Sequence, residues 1–133
     1  MSGALVESFA VLTTLAAQRI VVASTGNAST VQYPDSITSL PLGVTVDTVL
    51  DTTNSIPVQM NGLAYVLFND SVTSGNLVAS DTSGRAILFS LAMTSASVSR
   101  PSAYLGVLVG PTVGATGTIA QVAIHPGYDR ATA

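Results

Sequence analysis

Cysteine, lysine and tryptophan are absent from this 133-residue chain, and its four basic residues are all arginines. Without cysteine there are no disulfides, no thiolate nucleophile and no zinc site built on sulfur. Without lysine, and with Arg19, Arg85, Arg100 and Arg130 scattered, no basic stripe exists to displace counterions from a phosphate backbone, so nucleic-acid binding is not expected. The Gly-rich run 110–117 lacks the Lys-Ser/Thr pair of a phosphate-binding loop and reads as a turn. Charge itself is scarce, at 8% of residues where soluble domains carry about 25%, while 47% are hydrophobic. A surface so poor in charge is expected to be covered in part by copies of itself or by other proteins.

Long hydrophobic runs are also missing. Segments such as Ile20 to Ala23 and Tyr104 to Val109 fall far short of the ~20 residues that cross a bilayer, and Met1 to Ala10 carries Glu7 and no basic residue. Neither a membrane span nor a secretory signal is expected. At 133 residues the chain fits one domain with a core of its own.

Groups able to do chemistry are few: one histidine, one glutamate and six aspartates. His125 and Asp129 would suit a serine nucleophile, but no Gly-x-Ser-x-Gly elbow presents one, and a histidine at a strand exit is ordinarily a surface residue. Asp47 and Asp51 read as solvated turn residues or a loose calcium site, since a hard cation needs six or more oxygens. Asn27-Ala28-Ser29 and Asn69-Asp70-Ser71 match the glycosylation sequon, which means little without a signal peptide. No catalytic residue, cofactor or metal is therefore expected.

What the chain has in abundance is strand signal. Short runs rich in Val, Ile and Leu span Arg19 to Ala23, Thr30 to Tyr33, Leu42 to Val46, Ile56 to Met60, Leu63 to Phe68, Ala86 to Phe89, Tyr104 to Val109 and Thr118 to Ile124. Clusters of Gly, Asn, Asp, Ser and Thr separate them, among them 73–76 and 81–84. This predicts an all-β fold, a compact β-barrel or β-sandwich-like single domain over 19–127. Asn61-Gly62 is the pair a two-residue type I′ hairpin requires, between Ile56 to Met60 and Leu63 to Leu67. Pro57 argues for an edge or a strand start.

Leu42-Gly43-Val44-Thr45-Val46 returns 63 residues later as Leu105-Gly106-Val107-Leu108-Val109, each followed by an apolar strand, from Ile56 or Ile119, in which the match slips by one residue. Two similar hairpin-like units within one barrel would produce this echo; so would the common composition of strands. Residues 1–18 read as an N-terminal arm, although Leu5, Phe9, Leu12 and Ala16 also fall at helical spacing. Met93 to Ser102 reads as a serine-rich surface loop, and 128–133 as a loose tail.

From Ala17 to Gly127 the chain resembles the decoration, or cement, proteins of tailed-phage capsids. The ordered pieces are 18–22, 40–45, 56–59 with Asn61-Gly62, 104–109, 114–122 and, most telling, Val72 to Ala86, which reads VTSGNLVASDTSGRA. The resemblance implies a trimer of compact β bodies bound to the major capsid protein on the outer surface of the virion. It implies no catalytic residues. It also gives Leu5, Val6, Phe9, Val11 and Leu12 a role as anchors on an arm reaching along the capsid, so that removing 1–14 should leave a folded trimer that decorates poorly. The alternative is a head-fibre or tail-associated module that binds a host glycan, a weaker reading because an aromatic platform is missing.

Overall fold

A computed structural model describes residues 5–35, 39–49, 55–89 and 101–130. The fold is all-β, with ten strands among the described residues: β1 (Val6–Val11), β2 (Ile20–Ala23), β3 (Thr30–Gln32), β4 (Gly43–Thr45), β5 (Ile56–Gln59), β6 (Gly62–Leu67), β7 (Leu77–Ser80), β8 (Ala86–Leu88), β9 (Pro101–Leu108) and β10 (Ile119–Arg130). The first five close into a barrel in the order β1-β3-β2-β4-β5. The last five form a sheet in the order β6-β10-β9-β7-β8.

These are the same arrangement twice. Replacing each strand of the barrel by the one five places later reproduces the order of the sheet, and all four antiparallel pairings carry over with their register. Val6 faces Gln59 as Leu63 faces Ala123, and Glu7 faces Val58 as Ala64 faces Val122. Ile20 faces Val44 as Leu77 faces Val107, and Val22 faces Gln32 as Ala79 faces Ile87. The parallel β1–β3 pair that closes the barrel, Val11 with Val31, has its counterpart in a single parallel bridge from Phe68 to Ala86. Even the bridge from Leu15 to Val49 recurs, from Val72 to Val113.

The echo in the sequence is therefore structural. Thr45 pairs with Val58 as Leu108 pairs with Val122, which is the one-residue slip seen in the strings. The two units do not share one barrel, as the sequence suggested. One lies in the barrel and the other in the sheet. Gly43 and Gly106 occupy the same place in each: a Cβ at Gly43 would overlap the Gln59 carbonyl, and one at Gly106 the Ala123 carbonyl.

Each half has its own interior. In the barrel it is Val11, Leu15, Val21, Val31, Val49, Ile56 and Val58; in the sheet the equivalent Phe68, Val72, Val78, Ala86, Val113, Ala120 and Val122 are likewise buried. Alternation explains the pattern, since Val21 points into the barrel while its neighbour Ile20 points out of it. Ile20 and Val44, outward from the barrel, are buried in the core of the second half and join the two.

Four expectations need correction. The arm expected over 1–18 is, over Val6–Val11, a barrel strand held between β3 and β5, because Phe9 and Val11 supply apolar surface to an interior that would otherwise lie open. Asn61-Gly62 makes no hairpin: β5 and β6 are not paired, and Asn61 does not take the left-handed conformation a type I′ turn needs, whereas Gly62 does, at φ 79°. The pair is instead the corner at which the chain leaves one half for the other. The tail expected from residue 128 continues β10 to Arg130, paired with β9 past a register shift between Ile124 and Gly127. β5 is flanked on both sides, so it is no edge strand; Pro57 stands second in it, where its carbonyl accepts from Val46 N just past the end of β4. Most of the serine-rich stretch, 90–100, lies outside the described residues, while 101–102 begin β9.

Candidate interaction surfaces

The chemistry-bearing residues are not gathered. His125 is exposed at the β10 register shift, and Asp47 is exposed with its Oδ1 accepting from Thr48 N at 2.9 Å. Asp51 lies outside the described residues. Among the described residues no three of His, Asp and Glu come together as metal ligands would.

The most connected carboxylate is Asp81, and its work is local. Its Oδ1 accepts from Ser83 N and Arg85 N, both at 2.9 Å, and its Oδ2 accepts from Asn69 Nδ2 at 3.1 Å and lies 3.3 Å from Arg85 Nε. Carboxylate acceptance from successive backbone N–H groups shapes a tight turn. That turn carries Ser83 and Gly84 to the first half. There Gly84 O accepts from Ile20 N at 2.7 Å and Ser83 O from Arg19 Nη1 at 3.2 Å. Gln18 O accepts from Leu67 N at 2.9 Å, so 18–20 bridge the end of β6 and the turn before β8.

Among the described residues no cleft gathers reactive groups, and the notable surface feature is apolar. Large apolar side chains lie exposed around the crossover between the halves: Leu5, Val6, Val46, Leu63 and Tyr65. Gln59 organises them. It faces Val6 across the β1–β5 ladder, its Nε2 donates to Asn61 O and Leu63 O, and it lines one cleft with Val46 and Tyr65. Leu5 is fixed at the rim by its N–H to Asn61 Oδ1, at 2.6 Å, and by its carbonyl accepting from Met60 N.

Of the five anchors named from sequence, Leu5 and Val6 join this patch; Leu12 is exposed just past the end of β1. Phe9 is half-buried against the barrel core and Val11 is buried within it. Val46, Leu63 and Tyr65 were not singled out because in sequence they are strand residues like any other; Val46 stands just past β4 and lines the cleft with Gln59, and the corner at Gly62 brings Leu63 and Tyr65 to the same side.

No family model matches the chain, and no curated protein matches it in sequence. Its fold is another matter. A phage head-fibre base has the same one. The crystal structure of the head fibre gp8.5 N base of bacteriophage phi29 superposes on 92% of this chain and 95% of its own, with a TM-score of 0.65 at 16% identity. At that identity the likeness is one of fold, and it covers both halves of the chain.

Proposed function

We propose that the chain is a non-enzymatic structural component of a phage head. In this reading it sits on the outer surface of the capsid as a homotrimer and binds the major capsid protein, stabilising contacts between its subunits. The observation that carries the reading is the fold shared end to end with a head-fibre base. The physical logic supports it: a protein that binds the assembled shell and not its free subunits stabilises the shell by mass action. A trimer engaging three sites gains from effective concentration, so many weak apolar contacts suffice without a charged hot spot. The patch of Leu5, Val6, Val46, Leu63 and Tyr65, on a chain with only 8% charged residues, is of that kind.

A second reading is favoured by the same likeness: the chain as the base of a head fibre whose further parts meet a host glycan. Both readings place it on the head, and they differ in whether the shell gains stability. Co-sedimentation of the protein with mature, undecorated heads is the test. Saturation at a fixed ratio to the major capsid protein, with heads that then resist heat better, is the outcome expected of a cement protein. Saturation without a gain in heat resistance favours the fibre base, and no binding to heads sinks both.

A further inference from the structure

The outward faces of the two halves differ in what covers them. Outward from the barrel, Ile20 and Val44 are buried in the core of the second half. The outward face of the second sheet runs across β6, β10 and β9, and its large side chains stand in solvent. Tyr65 faces Gln121 across the β6–β10 ladder, and on the other side Val109 N donates to Gln121 O, so Tyr65, Gln121 and Val109 form one row. Leu63 and Ile119 stand two residues along their strands from that row and so on the same face. Leu63, Tyr65, Val109 and Ile119 are between 46% and 57% exposed, and none is charged. In their midst Gln121 is half-buried. The comparable amide on the barrel, that of Gln59, is bonded within the chain to Asn61 O and Leu63 O; the Gln121 amide has no such partner among the described residues.

We propose that this face receives the same face of a second copy, across a two-fold axis that passes beside Gln121 and runs along β10. The amide selects the occupant. A wholly apolar partner would cover Gln121 and leave its donors and acceptor without hydrogen bonds, while a charged partner would give up its water to an uncharged surface. The two-fold sets the two Gln121 amides against each other, and each can donate to the other's oxygen because an amide carries both kinds of group. The same axis lays Tyr65 of one copy against Val109 of the other, large against small. Packed sheets stand about 10 Å apart, a gap that two facing glutamine side chains span.

A contact of this type is isologous: the same surface serves both copies, so it closes at two and does not run on. It is distinct from a three-fold contact, and a trimer whose chains each carry it would pair with a neighbouring trimer. With four large side chains from each copy it stands at the small end of specific interfaces, which bury about 1,200–2,000 Å2 in all, so the pair forms at high protein concentration. The inference rests on the sheet face, not on head binding.

Because residue 121 of one copy meets residue 121 of the other, charge tests the contact directly. The full chain is followed by sedimentation equilibrium over a concentration series, beside Gln121→Glu, Gln121→Lys and an equal mixture of those two. The wild type is expected to reach two chains, or six if the three-fold contact of the proposed function also forms in solution. Each variant alone, with like charges opposed, should stop at half that mass, and the mixture should regain it. Circular dichroism should stay that of the wild type, since residue 121 faces outward. Tyr65→Ser, at an exposed position, should lower the mass in the same way without adding charge. A wild type that stops at one chain or at three overturns the proposal. So do Gln121 variants that keep the wild-type mass, or a mixture that fails to regain it. Variants that keep their mass but no longer bind heads would give the face to the capsid protein instead. Variants that halve in mass and bind heads as before support this contact and leave the head reading untouched.

Discussion

Gly43 and Gly106 show how much of this fold is decided by what a position cannot hold. Each lies where a neighbouring strand's carbonyl occupies the space a Cβ would need, at equivalent points of the two halves. Since a backbone atom cannot swing aside as a side-chain tip can, Gly106→Ala is expected to lower stability by about 3 kcal/mol or more. Gly114, with nothing within 4 Å, should accept the same change within about 0.5 kcal/mol. Urea unfolding midpoints of the two variants check the contrast. At other equivalent places the halves differ. Gln18 holds the left-handed conformation, φ 61°, that Gly75 holds at 94°. A side chain there costs about 1 kcal/mol, so Gln18→Gly should bring no loss of stability despite the added freedom of glycine in the unfolded chain.

At the scale of elements, the strands visible in the sequence are those whose apolar runs are bounded by turns, and the two that escaped notice have physical reasons. β7 is four residues, Leu-Val-Ala-Ser, pressed between two turn clusters that overwhelm its signal. β1, Val-Glu-Ser-Phe-Ala-Val, turns only part of one face inward, so little alternation shows, and a chance spacing of Leu5, Phe9 and Leu12 imitates a helix. The likeness of β4–β5 to β9–β10 showed in the sequence as an echo because both keep a Leu-Gly-Val start and a Val that faces the core, and the pairing explains its one-residue slip. The remaining pairs of equivalent strands share geometry with few or no identical residues: β2 and β7 keep only Val21 and Val78, and Val6–Val11 and Leu63–Phe68 have none in common. Leu5 and Val6 were named as anchors of an arm on the strength of the family resemblance; their exposed neighbours Leu63 and Tyr65 come near only through the corner at Gly62, and Val46 through its place just past β4, which spacing in the sequence does not show. Because Ile20 belongs by chain to the barrel and by packing to the second core, Ile20→Ala should cost about 2–5 kcal/mol. Hydrogen exchange at Val21 and Val78, one in each half, should accelerate together; faster exchange at only one would show that the halves unfold separately.

For the whole molecule, the place of β1 reverses the result expected of a truncation. An arm can be removed from a folded body, but removing 1–14 here takes away the strand between β3 and β5 and uncovers the barrel core. The truncated protein should lose the β-signature of its first half in circular dichroism and sediment as aggregate, because unpaired strand edges and bared apolar surface associate. A well-folded truncated protein would mean that β1 adds little to the barrel. Of the exposed large apolar residues, Leu5, Val6, Val46, Leu63 and Tyr65 stand near the crossover, while Leu12, Leu40, Val109 and Ile119 lie elsewhere on the surface.

The doubled plan also bears on heredity. A gene carrying one backbone scheme twice can let the two copies differ residue by residue, and here Tyr33 stands where Leu88 does and Arg19 where Asn76 does, while a glycine admits a neighbouring carbonyl in both. Selection then acts on two sites where a symmetric dimer of half-length chains would offer it one, and a mutation that suits one neighbour need not be suffered by the other.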